Sequence, residues 1–590
     1  MTVFARDAAS GKWRVFENPI ELITARRVEE VLPALTRIEA ECMSHRRHAA
    51  GFISYEASPA FDRSLTTRPP DAFPLLWFGL YDTVAERSLE ELASSPPDDA
   101  GRIVQDTAGS DGGETWEPSL SAARYAEVFD ILQELIRGGD TYQVNFTYRL
   151  RARLKSDPFA LFLQLAAAQR PPFGAFVDTG EWILCSASPE LFFHRNGSTI
   201  ESRPMKGTAA RGLWFEQDLE RARRLRESEK ERAENVMIVD MVRNDLGRVA
   251  RPGTVRVTNL FDVERYPTVL QLTSTVVGEA DATLVDVLAA LFPAASITGA
   301  PKARTMEIIA AMECSPRRIY TGSIGFIEPG GRAQFNVAIR TVVVNVSTGE
   351  AEYGVGGGIV ADSNREDEWD ESRVKARVLV TRNRSFDLLE TMLWKPDVGF
   401  LLLGRHMKRL LQSADYFGFE LDLLDVQRQI DQFALELKDK PHRVRVTVSR
   451  QGAVTLSASP QSPDEGFPAL PLAARPIDSA SPFLYHKTTE RRIYDEALQA
   501  RPGFGDVLLY NERNEVTEST IANLVVEICC ELLTPAIECG LLPGTLRAHL
   551  LEERKIREST ISVDEMLKAN ARYLLNSVRG FHPVSVLTET

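Results

Sequence analysis

A break in the hydrophobic pattern near residue 382 is the feature that most constrains this chain of 590 residues. A helix-like segment over residues 365–380 ends in Arg382-Asn383-Arg384, and a different pattern starts at Phe386. A chain of this length also exceeds what a single hydrophobic core organises. The sequence therefore predicts two domains, residues 1–381 and residues 382–590, with almost no linker between them.

Residues 94–119 are rich in Ser, Pro, Asp and Gly, which is typical of a long surface loop. This loop separates an N-terminal portion, residues 1–93, from a core, residues 120–381. Hydrophobic periodicity in the core predicts helices and strands. The predicted helices cover 125–136, with Ser121 as a cap and Gly138-Gly139 as a stop, 217–247 and 365–380. The predicted strands cover 144–150, where apolar and polar residues alternate, 181–187, 337–346 and 353–355.

Composition limits the class of protein. The net charge is −14, from 69 Lys and Arg against 83 Asp and Glu, which disfavours general binding to nucleic acid. The longest apolar runs are too short to span a bilayer. Six cysteines without a C-x-x-C pair argue against a disulfide framework or structural zinc. We expect a cytoplasmic protein without a membrane or nucleic-acid partner.

Two predicted helices carry pairs of carboxylates three residues apart, which places each pair on one helical face. The pairs are Glu231 with Glu234 and Glu368 with Glu371, and Lys375 extends the second face by one turn. Two such acidic faces in one site would repel each other without a cation, and hard oxygen ligands suit Mg²⁺. A solvated helix surface is the alternative for each pair taken alone.

Three glycine-rich segments, residues 203–208, 297–302 and 353–360, are candidates for anion-binding loops. Exposed backbone N–H groups in such loops form cradles for negative charge, although each loop alone also fits an ordinary turn. Lys302 and Arg340 are candidate cationic donors to carboxylates beside them.

Several motifs occur together and in order, and together they resemble the chorismate-utilising enzymes over about residues 120–380. That resemblance implies a fold of large antiparallel β-sheets flanked by helices, in the α+β or α/β class. Residues 51–62 resemble the less distinctive N-terminal portion of the same enzymes. The motifs are GDTYQVNF, SPELFF, RPMKGT, KERAENVMIVDMVRNDLGRV, SITGAPKARTMEII, FNVAIRT, YGVGGGIVADS and EWDESRVKAR.

Lys206, in RPMKGT, decides between subfamilies. Anthranilate synthases carry Ala at the matching position, whereas aminodeoxychorismate synthases carry Lys. The resemblance implies that Lys206 attacks ring carbon C2 of chorismate while the C4 hydroxyl leaves. Glu190 would act as general acid on that hydroxyl and then as base, and ammonia would add at C4.

The resemblance also implies how substrate and metal are held. Glu234 and Glu371 would bind Mg²⁺ on the ring carboxylate, with Glu231 and Glu368 beside them. The groups that would position the carboxylates of the substrate are Arg340, Lys375, Thr298, Lys302 and the amides of Gly356, Gly357 and Gly358.

Two glutamines bear on the reaction type. Many relatives have His where this chain has Gln271, and an amide cannot shuttle a proton as imidazole does, which argues against anthranilate-type chemistry, where pyruvate must be eliminated. Gln143 stands where isochorismate- and salicylate-forming relatives place a lysine base for water, which favours ammonia. The chain shows no glutaminase segment, so ammonia would come from solution or from a separate glutamine amidotransferase subunit.

The last two hundred residues carry a second set of motifs. Together they resemble the fold-type-IV pyridoxal-phosphate enzymes, which have two subdomains, over about residues 386–580. The motifs are FDLLETM, RHMKRL, HKTTERRIYDEAL, VTESTIANL and TPAIECGLLPGTLR.

Roles in binding pyridoxal 5′-phosphate follow from this second resemblance. It implies that Lys487 attaches to the cofactor and that Glu518 pairs with the pyridinium nitrogen. Arg409 and the amides of Thr545 and Leu546 would bind the phosphate, and Thr391 would lie near the catalytic lysine. Family members are dimers, which suggests a homodimer. The β-hairpin that usually starts these enzymes is missing here, which weakens that inference.

The two resemblances together predict one pathway. A first half making 4-amino-4-deoxychorismate and a second half eliminating pyruvate from it would yield 4-aminobenzoate for folate. The second half alone does not separate a lyase from an aminotransferase. The alternatives are an anthranilate- or isochorismate-type synthase fused to a class IV aminotransferase, and a decayed half that serves as a scaffold.

Overall fold

The computed structural model describes residues 1–94, 114–379, 385–437, 439–462 and 466–587. The predicted boundary between residues 381 and 382 and most of the predicted loop at 94–119 lie outside these residues. The chain divides into two compact units. The first unit comprises Met1–Ala210 and Ala222–Asn383, and the second comprises Arg211–Arg221 and Arg384–Thr590.

The described chain up to residue 379 alternates strands and helices. The strands are β1 (Thr2–Arg6), β2 (Trp13–Glu17), β3 (Glu21–Ala25), β4 (His48–Ile53), β5 (Leu76–Tyr81), β6 (Ala85–Arg87), β7 (Glu117–Pro118), β8 (Gln143–Arg153), β9 (Ala175–Asp178), β10 (Trp182–Ser186), β11 (Leu191–Asn196), β12 (Thr199–Arg203), β13 (Met205–Ala210), β14 (Arg256–Arg265), β15 (Val269–Glu279), β16 (Gly299–Ala300), β17 (Ser323–Ile327), β18 (Ala333–Asn336), β19 (Thr341–Asn345) and β20 (Glu350–Val360). The helices are α1 (Val28–Ser44), α2 (Ser58–Phe61), α3 (Leu89–Ser94), α4 (Ala122–Arg137), α5 (Pro158–Gln169), α6 (Phe215–Glu227), α7 (Glu229–Gly247), α8 (Leu284–Leu291), α9 (Lys302–Met312) and α10 (Arg365–Ala376).

Two antiparallel sheets form the frame of the first unit. One runs β16-β8-β20-β19-β10-β9-β1-β2-β6, with β7 beside β8, and the other runs β13-β15-β12-β11-β18-β17-β4-β5-β3, with β14 beside β15. One core cluster joins residues of both sheets, among them Val3, Phe52, Phe326 and Val343. Two further clusters pack helices against each sheet, so the frame consists of large antiparallel sheets flanked by helices, as predicted.

Local chemistry explains where the predicted elements begin and end. Ser121 Oγ accepts a hydrogen bond from the Arg124 amide and caps α4, which ends at Arg137, just before the predicted stop at Gly138. The helix predicted over 217–247 is two helices, because Ser228 leaves the helical conformation and caps α7. The strand predicted over 337–346 begins only at Thr341, because Arg340 has φ of +51°.

The second unit contains its own helices and strands. The strands are β21 (Leu388–Lys395), β22 (Gly399–Phe400), β23 (His442–Val448), β24 (Val454–Pro460), β25 (Leu470–Pro471), β26 (Leu508–Tyr510), β27 (Val516–Ser519), β28 (Asn523–Ile528), β29 (Glu531–Pro535), β30 (Arg557–Ser559), β31 (Ala571–Asn576), β32 (Gly580–Pro583) and β33 (Val586–Leu587). The helices are α11 (Leu403–Phe417), α12 (Leu423–Ala434), α13 (Arg492–Gln499), α14 (Thr545–Glu552) and α15 (Val563–Lys568).

The second unit has two main hydrophobic cores. In one, α11 and α12 pack on the sheet β22-β21-β23-β24, and in the other, α15 packs on the sheet that contains β26 to β32. This arrangement agrees with the predicted two subdomains. Within the described ranges, no helix combines the length and the apolar character needed to cross a membrane.

Candidate active sites

A cavity of about 190 Å³ in the first unit collects residues from both sheets. Strand β13 contributes Lys206, β20 contributes four glycines (Gly354, Gly356, Gly357 and Gly358), and α7 and α10 contribute the four predicted glutamates. Glu190, which directly precedes β11, and Arg340 also line this cavity. The motifs that are far apart in sequence therefore meet in one place.

Lys206 and Glu190 have the properties of a nucleophile and a proton donor. Burial lowers the pKa of the Lys206 amine, which favours the neutral form that can attack carbon. Glu190 is 4% exposed, and burial raises its pKa to about 7. Ser296 Oγ donates a hydrogen bond of 2.6 Å to Glu190 Oε1, which partly opposes the effect of burial.

The four predicted metal ligands all line the cavity but differ in charge balance. Burial raises the pKa of Glu231 and of Glu368, and the neighbouring glutamate of each pair adds to that effect. Glu371 lies 2.9 Å from Lys375 Nζ, and this ammonium lowers its pKa. Among the described residues, no group of three acidic, His or Cys side chains forms a metal site by itself.

This set of carboxylates fits Mg²⁺ only in part. One carboxylate from each helix would occupy only part of the coordination sphere of Mg²⁺, so waters or an anionic ligand must supply the other ligands. Mg²⁺ is often bound in this way. The protein residues that fit such a site are Glu234 and Glu371, with Glu231 and Glu368 next to them in the cavity.

The glycines of β20 leave room for other groups to approach the strand closely. A Cβ atom at Gly358 would lie 2.8 Å from Lys206 Nζ and 2.9 Å from Gln143 Nε2. A Cβ atom at Gly357 would lie 2.9 Å from Glu368 Oε2. Side chains at these positions would fill the space beside Lys206, so the bare backbone keeps the cavity open.

The predicted carboxylate-binding groups divide into two sets. Arg340 and Lys375 line the cavity, and Lys375 Nζ also donates to the Gly356 carbonyl at 2.9 Å. Thr298 and Lys302 do not line it. The Thr298 hydroxyl donates to the backbone carbonyls of residues 294 and 295, which lie in the turn before α9. Lys302 Nζ donates to Asp245 Oδ2 at 2.7 Å.

Both glutamines singled out in the sequence lie near Lys206. Gln271 lines the cavity and donates from Nε2 to Thr208 Oγ1 at 3.1 Å. Gln143 is fully buried, and neither atom of its amide has a hydrogen-bond partner among the described residues. Sequence reasoning missed Ser296, Tyr320 and Tyr353, which line or support the cavity without standing in a charged motif.

A second cavity, of about 310 Å³, lies within the second unit. It brings together residues from both subdomains, including five of the six predicted cofactor-site residues. These five are Thr391 on β21, Arg409 on α11, Lys487, Glu518 on β27 and Thr545 at the start of α14. Leu546, the sixth, does not contribute its side chain to the lining and packs in a neighbouring apolar cluster.

Lys487 is half-buried and Glu518 is buried, and loss of contact with water shifts the pKa values of both toward neutrality. Burial, followed by the charge of Arg409, lowers the pKa of Lys487 to about 8. Burial raises the pKa of Glu518 to about 7. The Glu518 carboxylate accepts hydrogen bonds from Tyr494 Oη at 2.9 Å, the Leu542 amide at 3.0 Å and Asn523 Nδ2 at 3.0 Å, which fix its orientation.

Arg409 belongs to a buried charge network. Its guanidinium donates to both oxygens of Glu390, at 2.9 and 2.7 Å, and His406 Nδ1 lies 2.6 Å from the same carboxylate. Burial opposes ionisation of Glu390, but Arg409 and His406 outweigh it and lower its pKa to about 2. His406 Nε2 also lies 3.2 Å from Thr545 Oγ1, so the network links Arg409 to the start of α14.

These residues fit pyridoxal phosphate. The cavity offers an amine of lowered pKa, a buried carboxylate, and a guanidinium next to the N-terminus of a helix, where a phosphate is favoured. Gly544 borders this helix start, and a Cβ atom there would lie 1.9 Å from Asn523 Oδ1. Only glycine therefore permits the close approach of the helix start to Asn523.

Sequence reasoning missed four arginines that line this second cavity, namely Arg443, Arg445, Arg491 and Arg579. Two of them, Arg443 and Arg445, alternate with buried valines on β23. Arg445 is paired in register with Thr391 on β21. The alternation of β23 was the available signal, because it places both arginines on the face opposite the core.

Comparisons with known proteins confirm both motif resemblances. Residues 2–381 match the family model of chorismate binding enzymes, and residues 387–587 match that of class IV aminotransferases. Aminodeoxychorismate synthase component 1 of Salmonella typhimurium is 42% identical over 259 residues, which are 44% of this chain and 57% of that protein. The chain thus spans little more than half the length of that curated relative.

Two anthranilate-type proteins are also similar. Anthranilate synthase component 1 of Streptomyces coelicolor is 36% identical over 373 residues, covering 57% of this chain and 72% of that protein. The crystal structure of anthranilate synthase component I from Streptococcus pneumoniae superposes with a TM-score of 0.53 at 24% identity. It covers 65% of this chain and 92% of that chain, and it bears on the fold alone.

Proposed function

The chain belongs to the chorismate binding enzymes, and from that premise we propose that its two units catalyse consecutive reactions. The first unit would convert chorismate and ammonia into 4-amino-4-deoxychorismate, and the second would eliminate pyruvate from it to give 4-aminobenzoate. One observation carries the first assignment. Lys206, whose amine has a lowered pKa, lies in the same cavity as Glu190, whose carboxyl has a raised one.

In the first reaction the neutral Lys206 amine attacks ring carbon C2, and the ring double bonds shift. The C4–oxygen bond breaks as Glu190 gives its proton to the hydroxyl, which leaves as water. Ammonia then adds at C4, the bond between C2 and Lys206 breaks, and Lys206 is released as a neutral amine. The new ammonium gives its proton to Glu190, which restores the starting state.

Positioning of chorismate would come from cationic and backbone groups. Arg340 and Lys375 supply charge for the carboxylates, and the glycine backbone of β20 leaves room for the ring. Mg²⁺, when bound, would neutralise the ring carboxylate, held by Glu234 and Glu371 with Glu231 and Glu368 beside it. Lys302 and Thr298 lie outside the cavity lining, so we do not retain them as substrate-binding groups.

Ammonia, rather than water, is the proposed nucleophile. Gln143 lies beside Lys206, and its amide is no base, so it cannot activate water as a lysine would. We propose that a separate glutamine amidotransferase subunit supplies ammonia, which is supported by the similar relatives that are named as component 1 of a synthase.

The second reaction is assigned from the cavity around Lys487. Pyridoxal phosphate, when bound, supplies a ring that withdraws electrons from the amine-bearing carbon of the substrate. Lys487 would take the proton from that carbon, while the carbon–oxygen bond to the enolpyruvyl group on the next carbon breaks. Enolpyruvate takes up a proton and becomes pyruvate. Glu518 would keep the cofactor nitrogen protonated, and Arg409 with the start of α14 would hold the phosphate.

The arginines of the second cavity support a dicarboxylate substrate. The charge of Arg409 is balanced by Glu390. Four further arginines line the cavity, whereas Glu518 is the one acidic residue among its described lining residues. A substrate with two carboxylates balances this excess of positive charge better than a monocarboxylate amino acid does. An aminotransferase that uses glutamate would also bring two carboxylates, so the choice of the lyase rests on the product that the first unit would supply.

The test is incubation of the full chain with chorismate, ammonia and Mg²⁺, with chromatographic identification of products. We expect 4-aminobenzoate and pyruvate in equal amounts. Lys487→Ala should accumulate 4-amino-4-deoxychorismate, and Lys206→Ala should lose its formation but still convert supplied 4-amino-4-deoxychorismate. Anthranilate as the product of the intact chain would refute the proposal.

A cytoplasmic location and a homodimer through the second unit stay predictions. Light scattering of the purified chain measures whether it is a dimer.

A further inference from the structure

A short segment from the middle of the sequence, residues 211–221, completes the second unit. It directly follows β13, the strand that carries Lys206, and contains the start of α6. Leu213 and Trp214 of this segment pack against a core cluster of the second unit that includes Tyr485 and Tyr494. The second unit is therefore closed by residues far outside the stretch that matches the class IV aminotransferases.

The segment is anchored by specific contacts with α11. The Arg211 guanidinium lies 4.4 Å from the ring centre of Tyr416 and donates to the Tyr416 carbonyl at 2.9 Å. Tyr416 Oη donates in turn to the Gly212 carbonyl at 2.7 Å. Arg211 also pairs with Asp218 through two hydrogen bonds of 2.7 and 3.0 Å, which fixes the turn into α6.

The same contacts reach the two residues that precede Lys487. The Tyr416 ring stacks on the His486 ring with centroids 4.2 Å apart, and the Trp214 ring stacks on Tyr485 at 5.4 Å. His486 Nδ1 lies 3.0 Å from Ser413 Oγ on α11. Burial, followed by the charge of Arg211, lowers the pKa of His486 to about 3, so this ring is neutral and packs as an aromatic group.

Lys487 itself is held from its other side by β21. The Leu389 amide donates to the Lys487 carbonyl at 3.0 Å, and Leu388 and Thr488 form an isolated bridge. The backbone of residues 485–488 thus lies between β21 and the aromatic contacts made with residues 211–214. Removing those contacts takes away the aromatic packing on one side of the backbone that carries the amine, while the hydrogen bonds with β21 on the other side stay in place.

We propose that residues 211–221 are a positioning element for Lys487, holding its backbone through the Trp214–Tyr485 and Tyr416–His486 stacks. The proposal rests on the proposed function, because it takes Lys487 as the lysine that holds pyridoxal phosphate. The same cluster includes Tyr494, the donor to Glu518, so the segment supports both partners of the cofactor. Residues that act in this way determine the position and the surroundings of the Lys487 amine without contacting the substrate.

The test compares Trp214→Ala with Trp214→Phe in the full chain loaded with pyridoxal phosphate. Loss of one aromatic stack should speed the release of the cofactor by about three- to tenfold. Looser packing should also admit water around the nitrogen that joins Lys487 to the cofactor and move the pH midpoint of the visible absorbance band upward, since burial disfavours the protonated, charged form of that nitrogen. Trp214→Phe should restore most of both properties.

Leu219→Ala is the matched control, because Leu219 lies in the same segment and is 40% exposed. Tyr416→Phe is the second variant if Trp214→Ala does not fold. It removes the hydrogen bond to the Gly212 carbonyl, keeps the ring on His486, and should shift the midpoint in the same direction by less. The proposal would be overturned if Trp214→Ala released the cofactor at the rate of the unmodified chain and kept its pH midpoint. The same outcome in Tyr416→Phe would overturn it when that variant is used instead. A chain without any visible band after loading would instead refute the function assigned to the second unit.

Discussion

Ser296 Oγ lies 2.6 Å from Glu190 Oε1, and both side chains are buried beside the cavity that contains Lys206. A hydroxyl that donates to a carboxylate stabilises its charged form. Burial acts in the opposite direction and dominates, so the pKa of Glu190 is raised to about 7. The proton that the proposed reaction needs is therefore held near neutral pH by two opposing effects on one carboxyl group.

Ser296→Ala should move the alkaline limit of the first reaction to higher pH. Glu190 must be protonated to act as the acid, so activity falls as pH rises through its pKa. Removing the hydroxyl removes a contact that lowers this pKa, and the pKa then rises. The measurement is kcat/KM for chorismate against pH at constant free ammonia. Ser347→Ala, on the exposed turn before β20, is the control, and a limit that moves toward acid pH would contradict the role of Glu190.

Gln143→Leu should lower activity without lowering stability. The buried amide of Gln143 has no hydrogen-bond partner among the described residues, so an apolar replacement of similar size removes a desolvation cost. If the amide binds the reactants, its loss should reduce the rate of ammonia addition by roughly three- to tenfold. Calorimetry and product formation measure the two effects. A clear loss of stability with normal activity would show that Gln143 serves the fold.

Lys302→Met should affect stability and leave the KM for chorismate unchanged. Lys302 Nζ pairs with Asp245 at 2.7 Å, and the two side chains are 16% and 11% exposed. Removing the ammonium leaves a largely buried carboxylate without its partner, at a cost of about 1–3 kcal/mol in the free energy of unfolding. Arg340→Met is the comparison, and it should raise the KM. An increased KM in Lys302→Met would return Lys302 to the substrate site that its motif suggests.

Arg443→Gln and Arg445→Gln should each weaken substrate binding in the second unit. Both arginines line the cavity from β23 and are exposed within it. A charge-assisted hydrogen bond to a carboxylate contributes about 1.5–3 kcal/mol, so the KM for 4-amino-4-deoxychorismate should rise about tenfold or more. Affinity for pyridoxal phosphate should stay the same. Arg428→Gln on α12, away from the cavity, is the control, and an equal loss in all three variants would refute a specific role.

Much of the frame followed from the sequence, because periodicity reports local structure directly. The cap at Ser121 and the alternation along β8 predicted α4 and its neighbouring strand correctly. The predicted helix over 217–247 was wrong in one respect, since Ser228 divides it. A serine inside a helix does not break the hydrophobic periodicity, so the pattern gives no sign of a helix end there. The hydrogen bond that Ser228 Oγ accepts from the Glu231 amide is seen only in the structure.

The candidate sites followed from motifs to the extent that charged residues mark them. Lys206 and the two glutamate pairs meet as the resemblance implied, whereas Lys302 pairs with Asp245. No pattern in a single sequence reveals that Lys302 forms an ion pair with an aspartate 57 residues away. Ser296 was missed for the same reason, because a hydroxyl has meaning in the site only through its distance to Glu190.

The second unit takes in residues 211–221, so its physical boundary differs from the boundary of the family that it matches. The chain leaves the first unit after Ala210, returns at Ala222 and leaves again near residue 384. A gene cut at that last crossing would transfer a second half without Trp214 and Arg211. Exchange of whole modules between lineages is therefore constrained here, and an insertion or deletion just after Ala210 would impair the second unit although it lies within the family match of the first.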